Sequence, residues 1–91
     1  MVHELRTWPE YFQSILTGAK AFEVRKDDRG FEEGDELVLM EYDPKACAYS
    51  GAHIRARVTY VLHGGSFGVE DGFVVMSIRT LSCYNKDVTD V

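Results

Sequence analysis

One stretch of this chain carries helical periodicity, and it is bracketed at both ends. Thr7-Trp8-Pro9-Glu10 has the form of a capping box, with Thr7 as N-cap and a proline in the first turn, while Gly18 closes the segment in the usual C-terminal manner. Between them Tyr11, Phe12, Ile15 and Leu16 recur at a spacing that makes one apolar face. A short strand over His3–Thr7 precedes the helix. After Gly18 the chain reads as strands and turns, so a single helix must serve a domain that is otherwise sheet.

The segment leaving the helix predicts a strand over 21–25. Alternation places Phe22 and Val24 inward, with Glu23 and Arg25 on the other face, roughly 6.5 Å apart along the chain. Lys20 stands at the handover from helix to strand. Lys26-Asp27-Asp28-Arg29-Gly30 and Glu33-Gly34-Asp35 are turn signals. The strand 36–42 is nearly all apolar at its centre, which predicts cover on both faces. A loop follows over 43–51. Residues 53–62 alternate, with Ile54, Ala56, Val58, Tyr60 and Leu62 on one face and His53, Arg55, Arg57, Thr59 and Val61 on the other. Gly64-Gly65-Ser66-Phe67-Gly68 connects to a last strand over 73–79. The expected organisation is one domain over residues 1–81 and an unpatterned tail over 82–91. Five strands in so short a chain avoid exposed edges by curling toward closure, with the helix plugging an open end.

With 91 residues there is room for one small core, and a 45% hydrophobic content is enough to fill it without staples. Cys47 and Cys83 show no metal spacing and read as two reduced thiols. No leader pattern and no membrane-length apolar run is visible, so the expectation is a cytoplasmic protein without a membrane partner. The net charge of -5 argues against a protein that coats duplex nucleic acid. Residues 1–30 nevertheless balance five basic against five acidic side chains, and the acidic excess lies later.

Lys20, Glu23 and Arg25 are the leading site candidates. On the residues alone they describe a surface ion pair worth under about 1 kcal/mol. As a cleft, Lys20 and Arg25 would hold an anionic or carbonyl group, and Glu23 would accept from a base edge or an exocyclic amine. Lys26 and Arg29 flank the next turn, where Arg29 can reach a phosphate at a cleft rim. Phe67 is an exposed stacking candidate, whereas Trp8 is expected to close the barrel end against the helix. The glycine-rich run lacks the ending of a P-loop, and the histidines lack metal-ligand spacing, so neither metal nor cofactor is called for. Arg55 and Arg57 share a face with His53, either as a backbone-tracking stripe or as a plain solvated surface.

Gly18-x-Lys20-x-x-Glu23-x-Arg25, followed by Gly34-Asp35 leading a strand, resembles the signature of the ASCH domain, a relative of the PUA domain. The series from His3-Glu4-Leu5 and Thr7-Trp8-Pro9 through Glu41-Tyr42-Asp43, Arg57-Val58-Thr59-Tyr60 and Gly64-Gly65-x-Phe67-Gly68 resembles a small stand-alone phage- and prophage-associated family in that superfamily. The resemblance covers residues 3–79. It implies an α+β, mostly β architecture: a PUA-like small β-barrel of about five strands with one main helix between strands 1 and 2. It also implies a module that binds RNA or a nucleoside-like small molecule, and a monomer is the expected state. One ASCH branch is similar to an amidohydrolase acting on acetylcytidine. Lys20 falls on that enzyme's lysine, but Glu23 holds its threonine position and its glutamate has no counterpart here, so the reaction is not carried over; were the chain a nucleoside amidohydrolase, Lys20 and Glu23 would be its catalytic candidates. A protein-interaction accessory factor with a vestigial cleft is the third reading.

Overall fold

The computed structural model describes residues 1–84. The element order is β1 (Val2–Thr7), α1 (Pro9–Leu16), β2 (Phe22–Lys26), β3 (Glu36–Asp43), β4 (Ala48–His63) and β5 (Phe73–Tyr84). The strands form one curled, half-barrel sheet in the order β1-β3-β4-β5-β2. Pairing is parallel between β1 and β3 and antiparallel elsewhere. The protein is therefore an α+β domain, mostly β, with one short helix between the first two strands.

Helix α1 starts without the expected capping box. Its N-cap is Trp8, with no side-chain cap bond, and Pro9 begins the helix. Thr7 is instead the last residue of β1 and is buried. Proline's fixed φ and missing N–H suit the first helical position, so the start signal holds even though the threonine is used elsewhere. At the other end the Gly18 amide donates to Ile15 O at 3.0 Å, with Gly18 at φ +86°, where a Cβ would be strained. Phe12 and Ile15 are buried, while Tyr11 is left exposed.

The concave face of the sheet holds the core: Leu5, Leu37, Leu39, Ile54, Ala56, Val58, Val74 and Met76, closed by Phe12, Ile15 and Phe31. Strand β3 alternates rather than being buried on both faces, with Leu37 and Leu39 inward and Val38 and Met40 half-buried. Three further expectations are corrected. Strand β3 ends at Asp43 and β4 begins at Ala48, so the predicted 43–51 loop shrinks to the turn 44–47. A bulge between Val58 and Tyr60 adds one residue to β4, which turns Tyr60 outward and buries Val61. Finally, Ser82–Tyr84 continue β5 against Arg55, Ile54 and His53 instead of starting a tail. The rest of that expected tail, 85–91, lies outside the described residues.

From the pairing directions, β2 must run antiparallel to β1 across the seam between the two sheet edges. No ladder joins them. Arg25 Nη2 donates to Arg6 O at 2.8 Å and Arg29 Nη1 to Glu4 O at 2.8 Å, so two guanidinium groups bridge the seam.

At the start of β1, buried His3 Nε2 donates to Asp35 Oδ2 at 2.8 Å, and the His3 ring meets Phe31 edge-on at 4.7 Å. Burial alone would push the Asp35 carboxyl up. Hydrogen bonds from His3, the Glu32 amide and the terminal ammonium outweigh it and hold the group below the usual carboxylate range. A depressed folded pKa makes a stabilising contribution above the unfolded value of about 3.9, lost as pH falls through the folded value. The melting temperature is therefore expected to fall on acidification below about pH 4. Asp35→Asn should start lower at neutral pH and fall less over that range, as thermal unfolding at a series of pH values will show.

Candidate functional site

The alternation of β2 is the reverse of the one its apolar residues predict. Glu23 is buried at 3% exposure, whereas Phe22 and Val24 stand out at 44% and 51%. A carboxylate goes inside only if its hydrogen-bonding capacity is met there. Lys20 Nζ donates to Glu23 Oε2 at 2.8 Å, and Arg25 Nε donates to Glu23 Oε1 at 2.8 Å. Lys20 gives a second bond to Phe22 O at 2.7 Å. Arg25 Nη2 donates to Arg6 O and also lies 3.3 Å from Thr7 Oγ1. The sequence-predicted trio is thus one connected unit, with the acid at its base and the two cations above.

The handover from helix to strand sets this up. The Lys20 amide donates to Ser14 O at 2.9 Å, which fixes the chain where it turns back from α1 into β2. Lys20 then lies beside two rings, its Nζ 4.8 Å from the Phe22 centroid and 5.7 Å from that of Tyr11. Tyr11 in turn stacks near Trp8, with centroids 6.1 Å apart and an interplanar angle of 25°.

Together these residues line a hollow of about 420 Å³ bounded by Arg6, Thr7, Trp8, Tyr11, Lys20 and the β2 residues Phe22–Arg25. It lies where the end of β1, the exposed side of α1 and the outer edge of β2 meet. Trp8, expected to close the barrel against the helix, is half exposed at this hollow instead. Trp8, Tyr11 and Thr7 were missed as site residues. The signal was present in the residues before and within the helix, since Trp8 and Tyr11 lie three apart and so share a side of its first turn.

The remaining candidates do not join the hollow. Lys26 is exposed at the far end of β2, and Arg29 is committed to the seam and to Asp28 at 3.7 Å. Phe67 is 90% exposed with φ +56°, on the β4–β5 connection and outside the lining. Arg55 pairs with Glu36, and Arg57 donates to Gly34 O at 3.0 Å, so both guanidinium groups have protein partners. Among the described residues no helix is long and apolar enough to cross a membrane.

Comparison with known proteins adds a family. Residues 2–78 match the profile described as "Domain of unknown function (DUF3850)". The chain belongs to the DUF3850 family. It is also similar to the "Uncharacterized 12.9 kDa protein in GpA 3'region" of Escherichia phage P2, with 38% identity over 60 residues. That alignment takes in 66% of this chain and 53% of the phage protein, so the chain spans about half the length of the curated relative it matches. The aligned family segment includes β1 through the first half of β5, and with them every residue that lines the hollow.

Proposed function

We propose that this DUF3850 domain is a binding module for single-stranded RNA or a modified nucleoside, acting through the hollow beside β2, and that its curled sheet is a PUA-like barrel of the ASCH type. One observation carries the reading: a buried Glu23 aims two cations into a concavity walled by Trp8, Tyr11 and Phe22. Flat apolar walls take the face of a base, and fixed charged donors take a polar edge. Solvated surface pairs do not need a buried carboxylate. The resemblance of Gly18-x-Lys20-x-x-Glu23-x-Arg25 to the ASCH signature supports the same reading.

Trp8 is the single tryptophan of the chain and lines the hollow, so its fluorescence reports on occupancy. Titration with short single-stranded RNAs and a panel of modified nucleosides should change Trp8 emission saturably, and for the oligonucleotides the affinity should fall with added salt. Lys20→Met leaves Glu23 Oε2 without its partner and should lower stability, and in the protein that remains folded binding should weaken. A panel that leaves both Trp8 emission and the amide resonances of β2 unchanged would refute the module. Turnover of an acylated nucleoside, abolished by Glu23→Gln, would replace it with the amidohydrolase reading.

A further inference from the structure

The connection between β4 and β5, residues 64–72, holds one side chain at two separate costs. Phe67 is 90% exposed, and its φ of +56° lies in the left-handed region that a bulky side chain rarely adopts. Single exposed apolar residues are common on protein surfaces, but few are held on strained backbone as well. The loop that presents Phe67 is closed on itself. Gly64 N donates to Phe73 O at 2.8 Å, Gly65 N to Val69 O at 2.8 Å and Val69 N to Ser66 O at 3.0 Å. Gly64 lies so close to the returning chain that a Cβ there would overlap Glu70 O. Phe67 is therefore a stiff aromatic projection, which keeps the ordering cost of docking low. Glu70 and Asp71 follow it in the same loop, both exposed, and the loop carries no basic residue.

The hollow beside β2 is the complement of this projection. Its walls are Trp8, Tyr11 and Phe22, which suit an aromatic ring, and its lining holds Arg6, Lys20 and Arg25 against the single acid Glu23. Its volume of about 420 Å³ admits a phenyl side chain. Phe67 is not among the residues that line its own hollow, so the contact is not made within one chain. We infer that Phe67 of one copy docks in the hollow of a second copy, with Glu70 and Asp71 set against the cations of its lining. The two patches differ, so the contact is head-to-tail and its repetition adds further copies to the expected monomer. A base stacked on Phe67 fits less well, because the two acids in its loop repel a phosphate backbone. The inference does not rest on the nucleobase reading, although both use the same hollow.

The test is sedimentation velocity of the chain without nucleic acid, over concentrations up to about 1 mM, where weak contacts become populated. The sedimentation coefficient should rise with concentration, and Trp8 emission should change with it. Phe67→Asn removes the ring and suits left-handed backbone, so its urea midpoint should not fall, while self-association should weaken about tenfold or more. Val24→Glu puts an acid into the hollow at an exposed position of β2 and should weaken self-association as much. Mixed together, the two variants should pair, because one keeps the hollow and the other keeps the projection. A wild-type chain that stays monomeric up to about 1 mM would overturn the inference. So would variants that associate as the wild type does, or a mixture that fails to pair. In each case the nucleobase reading, tested by titration of Trp8 fluorescence, still stands.

Discussion

Phe12→Ala is expected to destabilise the domain by about 3–5 kcal/mol, the range for emptying a fully buried aromatic site. Phe12 is 0% exposed and is the largest side chain that α1 places against the sheet. Its neighbours in the core, Leu37, Leu39 and Ile54, lie on strands locked by ladders on both sides, so they cannot collapse into the gap. Small domains hold only about 5–15 kcal/mol in total, so this loss is a large share. In urea, with a slope of about 2 kcal/mol/M, the midpoint should drop by about 2 M. A drop below about 0.5 M would mean that the helix is not held by its buried face.

Glu23→Ala is the second large effect, and it acts on fold and site together. Removing one member of a buried ion cluster leaves the other charges uncompensated, at about 3–5 kcal/mol when all are fully buried. Lys20 and Arg25 keep 19% and 25% side-chain exposure, so water recovers part of that cost and about 2–3 kcal/mol is the expected loss. Arg25 retains its bonds to Arg6 O and Thr7, whereas Lys20 retains only Phe22 O and should become mobile. Ligand-induced change in Trp8 emission should vanish even where the variant is fully folded. Denaturation midpoints and fluorescence titration of the same sample separate the two effects. An unchanged midpoint would show that the carboxylate is not buried as described.

The strand inventory was legible because it rests on backbone chemistry written locally: proline and glycine at the helix ends, turn residues between apolar runs, and period-two alternation in β4. What was not legible depended on partners distant in sequence. The direction in which β2 faces is the clearest case. Phe22 and Val24 carry the hydrophobicity, so a local rule turns them inward. The real arrangement is decided across the seam, where the distant main chain of β1 anchors Arg25, and Arg25 with the nearby Lys20 then satisfies a buried Glu23. The bulge at Val58–Tyr60 is similar, since the choice between Tyr60 and Val61 as the inward residue is made by pairing with β5. Lys20, Glu23 and Arg25 were found because their types and spacing are unusual. Trp8 and Tyr11 read locally as packing residues, because an aromatic near a helix start most often packs.

The two arginines that span the open side of the sheet have a mechanical consequence. Where strands are laddered, widening a barrel breaks main-chain hydrogen bonds one after another. Here the polar links across the seam are side-chain bonds from Arg25 and Arg29 to the β1 main chain, and Arg25 also holds the buried carboxylate. The same side chain therefore joins the two sheet edges and satisfies the buried carboxylate, so the seam cannot part there without disturbing Glu23.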